Sequence, residues 1–302
     1  MIKQAFETTE KTAFAALIYG QTGVGKSTLA CGASSAIMID FDGGIERVAI
    51  GNRVNYTAVT TWDEALADTK SAISLGYKSV VIDTVGKMID CIEQYIMTNN
   101  PTMRDRKGGL TLKGFGMRKI IFMDYLKSLK ASGVNMVFVA QETETEEDGR
   151  KIRRPACGSD KMATELLQDI DIAGYLHVVN GRRVLEFGCV DYAWTKNACA
   201  LPGSMTLPDL ATGSNDTMKK IEEDFHTWQV AKVEKSAAYA ETVAKIDAMV
   251  GNAKTAEELT EVQGMILEMP EVLTSKMYAR QAVINAARSI GCKWDKEQNK
   301  YV

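Results

Sequence analysis

The sequence predicts an α/β domain with a mostly parallel sheet, followed by a helical C-terminal region. Three observations predict this class. Apolar, strand-like runs alternate with helix-like segments from about residue 14 to 200. A glycine-rich loop, GQTGVGKST at 20–28, directly follows the first apolar run. After a stretch at 201–216 that is rich in Pro, Gly, Ser and Asp, the composition becomes that of helices. We therefore expect a core at 1–205, and a linker with helices at 206–302.

The strands are predicted from short apolar runs. They cover 14–19, 35–41, 54–59, 78–83, 134–140, 172–179 and 183–189. Asn180-Gly181 separates the last two runs, and this dipeptide favours a tight hairpin turn. The sheet should therefore end in antiparallel strands.

The helices are predicted from apolar residues that recur at helical spacing. In the core they cover 62–75, 86–98 and 115–131. The region after 216 should hold three or four more helices. Thr255 and Glu258 form a capping box, which predicts the start of one of them.

The composition excludes several classes of protein. The 302 residues are 45% hydrophobic and 25% charged, with a net charge of -3, so nucleic acid could bind only through local basic patches. The six cysteines are scattered without a C-x-x-C pair, which indicates free thiols in a reducing compartment. We find no signal-peptide core and no run near the roughly 18 apolar residues of a membrane span. We expect a cytoplasmic protein without a membrane partner.

The loop at 20–28 has the spacing of a phosphate-binding P-loop, with Gly20, Gly25, Lys26 and Ser27 at the defining positions. Its backbone N–H groups would cradle phosphates, Lys26 would reach the outer phosphates, and Ser27 would bind Mg²⁺. The expected cofactors are ATP and Mg²⁺. The expected nucleotide-binding residues are Gly20, Gln21, Thr22, Gly23, Val24, Gly25, Lys26, Ser27 and Thr28.

Polar residues at the ends of three other strands would complete this site. Asp83 ends the apolar run SVVID, which is the Walker B form, and would hold Mg²⁺ together with Ser27. Asp40 and Asp42 follow another strand, and either could polarise the attacking water. Gln141 follows the run at 134–140 and could sense the terminal phosphate.

The order of these motifs resembles the RecA-like core of P-loop NTPases. More closely, it resembles the small phage-encoded RecA-like ATPases of single-strand annealing and recombination. The similar segments are GQTGVGKST, MIDFDGG, VVIDTV and VFVAQE, spread over about 13–200. The resemblance implies a RecA-like P-loop NTPase core, ATP hydrolysis stimulated by DNA, a homo-oligomer in the form of a filament or ring, and the host-cell cytoplasm. It also assigns water activation to Asp42, where these ATPases usually carry Glu.

The resemblance further implies two DNA-facing loops, at 98–119 and 142–163. The expected DNA-binding residues are Arg104, Arg106, Lys107, Lys113, Arg153 and Arg154. By its residues alone, the first loop contains glycine and is basic, which suits contact with a phosphate backbone; a solvated, flexible loop is the alternative. The second loop begins with acidic residues, which departs from a simple DNA-binding loop.

Two further expectations concern assembly. RecA-like enzymes place a cation across the subunit interface, near the γ-phosphate of the neighbour, and Lys196 is the candidate here; an ordinary surface lysine is the alternative. The C-terminal helices either pack as a structural unit or bind a partner, such as a single-strand-binding or replication protein.

The sequence therefore predicts an ATP-dependent protein that binds single-stranded DNA and acts in recombination, annealing or replication. ATP at the P-loop would control both oligomer formation and DNA binding. The alternatives are a nucleotide-gated binding module with little turnover, a helicase or helicase loader, and a small-molecule P-loop kinase.

Overall fold

The structure is a computed structural model, and it describes residues 13–147, 149–210 and 214–302. Residues 13–228 lie in one compact unit, and residues 229–302 belong to a second. The division of the chain after residue 205 stays a prediction.

In the part of the core unit that the structure describes, ten strands form one sheet. Their bounds are β1 (Ala15–Gly20), β2 (Ala36–Asp40), β3 (Asn55–Ala58), β4 (Ser79–Asp83), β5 (Asn135–Glu147), β6 (Arg150–Pro155), β7 (Ile172–Val179), β8 (Arg182–Glu186), β9 (Lys196–Asn197) and β10 (Ser204–Thr206). The main strand order is β10-β8-β7-β1-β5-β4-β2-β3. The six strands from β7 to β3 are parallel, which confirms the predicted α/β class with a mostly parallel sheet.

Helices cover both faces of this sheet. The core helices are α1 (Lys26–Cys31), α2 (Trp62–Ser74), α3 (Val85–Asn99), α4 (Leu112–Ser132) and α5 (Asp160–Asp169), and α6 (Thr217–Asn252) follows them. Apolar residues of α2 to α5 are buried with one face of the sheet. Those of α1 and of the first turns of α6 are buried with the other face. The predicted helices at 62–75, 86–98 and 115–131 are confirmed.

The parallel register brings the polar strand ends to one edge. Gly20 of β1 is level with Gln141 of β5, and Asp83 of β4 is level with Asp40 of β2. Strand β5 lies between β1 and β4. Ligands of open α/β sheets bind at this carboxyl edge, so the topology alone assembles the predicted site.

The sheet ends in antiparallel strands, as predicted. β7 and β8 form a hairpin whose turn residues Asn180 and Gly181 have φ angles of 50° and 76°. Asn and Gly are the residues that best tolerate this left-handed backbone. β10 then adds to the outer side of β8.

The predicted loop at 142–163 is instead a β-hairpin followed by α5. β5 continues to Glu147 and pairs with β6, so that Glu144 lies opposite Arg153 and Glu146 opposite Lys151. The acidic half and the basic half therefore face each other across two strands. Opposite charges at facing positions stabilise such a pair.

The second unit contains the end of α6 and the elements α7 (Ala256–Glu268), α8 (Ser275–Ile290), β11 (Trp294–Asp295) and β12 (Lys300–Tyr301). Thr255 accepts a hydrogen bond from the backbone of Glu258, and the Glu258 side chain accepts one in return, so the predicted capping box is confirmed. Ile246, Leu259 and Val283 contribute to its own apolar core. No helix among the described residues of the chain is long and apolar enough to cross a membrane.

Candidate nucleotide-binding site

The glycine-rich loop connects β1 to α1 at the carboxyl edge of the sheet. Gly25 has φ 103°, a left-handed conformation that strains any residue with a side chain. A Cβ atom on Gly20 would lie 2.1 Å from the backbone oxygen of Leu176. The two defining glycines are therefore required by the fold as well as by phosphate. The loop lines a cavity of about 300 Å³.

Lys26 is buried inside the loop, with 5% of its surface exposed. Its Nζ donates hydrogen bonds to the backbone oxygens of Gly20 (2.9 Å) and Gln21 (2.6 Å), and to Oε1 of Gln141 (3.0 Å). Burial lowers the pKa of Lys26 to about 8, although the nearby Asp83 favours the charged form. The ammonium group is thus held at the base of the cavity.

Asp83 is also buried, at 1% exposure, and lines the same cavity as Ser27. Burial raises the pKa of Asp83 to about 6; a hydrogen bond from the Ser27 hydroxyl opposes this shift, and the neighbouring Asp42 adds to it. Within the described residues, its Oδ2 atom has no hydrogen-bond partner. The predicted pair of Ser27 and Asp83 is brought together.

The structure distinguishes the roles of Asp40 and Asp42, which the sequence left as alternatives for polarising the attacking water. Asp40 accepts hydrogen bonds from the backbone N–H groups of Asp42 (3.2 Å), Gly44 (2.9 Å) and Ile45 (3.0 Å), and so holds the turn after β2. Asp42 lines the cavity and pairs with Arg47 at 3.2 Å. Asp42 is therefore the acid of the two that can face a bound ligand.

Gln141 lies between the P-loop and Asp83, as the strand order requires. Its Oε1 accepts hydrogen bonds from Thr22 Oγ1 at 3.1 Å and from Lys26 Nζ at 3.0 Å. It lines the cavity, so a group that displaces either donor would change the contacts of a residue within β5.

The cavity is also lined by residues that no sequence motif indicated. Arg47, Arg183 and Leu210 line it, in addition to the predicted groups. The turn prediction at 180–181 placed Arg183 at the start of a strand, but nothing local to Arg183 connects it with a P-loop about 160 residues earlier. Lys26, Arg47 and Arg183 thus contribute three cations to the lining of the cavity, and such cations attract a polyanion.

Comparison with known families agrees with this geometry. A family model described as an AAA domain matches residues 12–199. The chain belongs to this family. The match supports a nucleotide-dependent ATPase of the P-loop class. No curated protein matches the chain.

The first predicted DNA-facing loop of the AAA domain, at 98–119, runs from the end of α3 through an ordered turn into the first turns of α4. Asp105 accepts hydrogen bonds from the backbone of Lys107 (2.8 Å) and Gly109 (2.9 Å), so its carboxylate is used within the turn. Four of its cations are exposed: Arg104, Arg106, Lys107 and Lys113. We call these four residues the basic turn.

The second predicted DNA-facing loop gives a different result. Arg154 is buried at 6% exposure, forms ion pairs with Glu147 and Asp160, and stacks 4.2 Å from the ring centroid of Trp194. The prediction that Arg154 contacts DNA is therefore wrong in this fold. Arg153 is ion-paired with both Glu142 and Glu144 across the hairpin, which leaves its charge neutralised.

Lys196 lies away from the P-loop of its own AAA domain. It pairs with Ala173 near the start of β7, whereas the P-loop follows the end of the parallel neighbour β1. Its Nζ donates hydrogen bonds to the backbone oxygens of Leu167 (2.7 Å) and Gln168 (3.1 Å) at the end of α5. Such a cation stabilises a helix C-terminus. Its part as a finger for a neighbouring subunit stays a prediction.

Proposed function

We propose that the chain is a magnesium-dependent ATPase that binds single-stranded DNA and acts in recombination, annealing or replication. ATP bound at the P-loop would control its oligomeric state and its hold on DNA. The observation that supports DNA binding is the basic turn, which has four exposed cations on an ordered segment. The only acid of this segment, Asp105, accepts hydrogen bonds from two backbone N–H groups of the segment itself. The AAA domain supplies the nucleotide part.

The residues present fit a magnesium ion. Ser27 offers a hydroxyl and Asp83 a buried carboxylate, and Oδ2 of Asp83 is an acceptor without a partner among the described residues. Oxygen donors of this kind suit Mg²⁺, which keeps several waters and binds through one or two carboxylates and the phosphates. When bound, the ion would neutralise phosphate charge.

The chain's own residues would divide the work of turnover. Lys26 and the backbone N–H groups of the P-loop would hold the phosphates, and Asp42 would orient the attacking water. Gln141 would report the terminal phosphate to β5 through its contacts with Thr22 and Lys26. Lys26, Asp42 and Gln141 already line the cavity in this structure.

We expect nucleotide affinity to be highest between about pH 6 and pH 8. The pKa of Lys26 is lowered to about 8, so above that pH it loses the charge that holds phosphate. The pKa of Asp83 is raised to about 6, so below that pH it becomes protonated and loses its hold on the metal. Calorimetric titration with MgATP should show Kd rising about tenfold per pH unit beyond pH 8. A flat affinity from pH 7 to 9 would contradict the lowered pKa of Lys26, because its ammonium group would then stay charged over that range.

The decisive experiment for the DNA part measures ATP turnover and single-strand binding together. In the intact chain, single-stranded DNA should stimulate turnover, and DNA affinity should fall steeply with salt. Replacing Arg104, Arg106 and Lys107 by Gln should weaken DNA binding and lower the log–log salt slope by about 2, because each phosphate contact on a single strand contributes about 0.7. Turnover without DNA should remain.

A charge-matched control separates this effect from net charge. Lys70, Lys78 and Lys127 are exposed cations of the same unit outside the basic turn, and their replacement by Gln removes the same charge. Equal DNA affinity in both triple variants would discard the basic turn as the DNA contact. ATP turnover that does not respond to DNA would favour the nucleotide-gated binding module instead.

Assembly is the second part of the proposal. Its support is the resemblance to RecA-like ATPases, in which neighbouring subunits complete each other's sites. Light scattering with a non-hydrolysable ATP analogue, with and without single-stranded DNA, should show an increase in mass when both are present. If the protein stays a monomer under all conditions, the proposed oligomer is wrong, and so is the proposed role of Lys196 at a neighbouring subunit's site.

A further inference from the structure

Arg183 reaches the P-loop from a distant part of the chain. It is the second residue of β8, and its Nε donates a hydrogen bond of 2.9 Å to the backbone oxygen of Val24, 159 residues away. A Cβ atom built on Gly25 would lie 3.3 Å from this same Nε and 3.0 Å from Leu210. The guanidinium therefore lies directly against the peptide unit that joins Val24 to Gly25.

We propose that Arg183 is a positioning residue that aims the backbone amide of Gly25 at the phosphates. The proposal rests on the nucleotide binding proposed above. In a trans peptide the C=O and N–H bonds point in opposite directions. A donor that holds the Val24 oxygen therefore fixes the Gly25 N–H on the opposite side of the peptide unit, away from Arg183.

The loop needs such a support because Gly25 is conformationally permissive. Its φ of 103° lies in a region that glycine enters freely, so little in the residue itself fixes the orientation of the preceding peptide unit. Preorganised donors bind anions best when their orientation is fixed in advance. A charge-assisted hydrogen bond to the Val24 oxygen fixes it.

Arg183 is itself held by the sheet that carries the P-loop. It is paired with Val178 of β7, and β7 is hydrogen-bonded to β1, which leads into the loop. Its backbone oxygen also accepts a hydrogen bond of 2.8 Å from Leu207. The side chain thus projects from a rigid element, which is what a positioning role requires.

The expected signature is a change in binding without a change in the chemical step. The amide of Gly25 would contact phosphates that ADP and ATP share, so both nucleotides should lose affinity together. Removing an interaction that is made equally in the ground state and the transition state raises KM and leaves kcat unchanged. An arginine that stabilised only the transition state would instead lower kcat and spare ADP.

The test compares R183M with R182M in the full chain. Arg182 is exposed and adjacent in β8, and successive side chains of a strand point to opposite faces, so R182M removes the same charge away from the P-loop. We expect R183M to raise Kd for MgATP and for MgADP about tenfold each, the effect of losing one hydrogen bond to a charged group. Its kcat should stay within about twofold, and R182M should match the wild type. R183K, which keeps a donor, should recover most of the affinity.

Each outcome has a defined meaning. Wild-type affinity in R183M, or a fall in kcat with unchanged MgADP binding, overturns the positioning role while the proposed function stands. Failure of the wild-type chain to bind MgATP and MgADP overturns the proposed function itself. Thermal unfolding without nucleotide checks the fold of each variant, and R183Q, which keeps a polar side chain at this half-exposed position, replaces R183M if that variant does not fold.

Discussion

Replacing Lys26 with Met is expected to abolish measurable ATP binding and turnover. Lys26 is a buried cation in the P-loop, and its Nζ is held by the backbone oxygens of Gly20 and Gln21 and by Gln141. Loss of two or more hydrogen bonds from a charged donor to phosphate, at about 1.5–3 kcal/mol each, should raise Kd for MgATP at least about 100-fold. Calorimetry with MgATP measures this directly.

The fold of this variant should survive. Burial already disfavours the ammonium group, as the pKa of about 8 shows, and Met fills a similar volume without a charge. The melting temperature without nucleotide is therefore expected to stay close to that of the wild type. Lys70→Met, at an exposed position of α2, is the matched control and should bind MgATP normally. Normal binding by Lys26→Met would remove the P-loop as the nucleotide site.

The elements that the sequence predicted correctly are those set by local pattern. Each buried strand of the parallel sheet is a short apolar run, and the P-loop is defined by Gly20, Gly25, Lys26 and Ser27 within eight consecutive residues. The Asn180-Gly181 turn is local as well, since two positive φ angles decide it. The parallel topology then brings Asp83 to Ser27 without any further signal.

The features that the sequence did not reveal depend on contacts between distant residues. In the sequence, a run of acids followed by a run of bases is typical of a solvated loop. In the structure the two runs form a hairpin, in which Glu144 lies opposite Arg153. Arg154 is buried against Trp194, and Arg183, which stays partly exposed, bonds to the Val24 oxygen. No local periodicity encodes such pairs, so charged residues are the hardest to place from sequence.

The turn after β2 was predictable from the sequence only in part. The letters DFDGG offered two acids, and their spacing could not say which one faces the ligand. The Asp40 carboxylate accepts hydrogen bonds from three backbone N–H groups that follow it within five residues, an arrangement typical of Asp at a turn. Asp42 is left to line the cavity. Local hydrogen bonding thus separates two carboxylates that the motif alone left equivalent.

Asp83→Asn is expected to keep nucleotide binding and to lose magnesium-dependent turnover. The two side chains have nearly the same shape, but the amide cannot hold a cation as the carboxylate does. Affinity for ATP should stay within about tenfold, whereas turnover at saturating MgATP should fall at least about 100-fold, since a bound metal contributes several kcal/mol to catalysis. Measuring turnover against Mg²⁺ concentration shows both effects.

The stability of Asp83→Asn provides an internal check. Burial raises the pKa of Asp83 to about 6, so at pH 7 the group is still mostly ionised, and its buried charge makes the folded chain less stable relative to the unfolded chain. A neutral amide should leave the melting temperature of the free protein unchanged or raise it. Loss of turnover together with an unchanged melting temperature would then report on chemistry and not on folding.

The position of this carboxylate can be tested without changing it. A Cβ atom on Gly44 would lie 2.6 Å from Oδ2 of Asp83 and 3.3 Å from Oδ1 of Asp42. Gly44→Ala must therefore displace the carboxylate, whereas Gly51→Ala, with no atom within 4 Å of its Cβ, should be silent. If Gly44→Ala loses turnover as Asp83→Asn does, the function depends on where the charge is held. If it turns over normally, the carboxylate has room to move, and Asp83 cannot be the fixed metal ligand that the proposal requires.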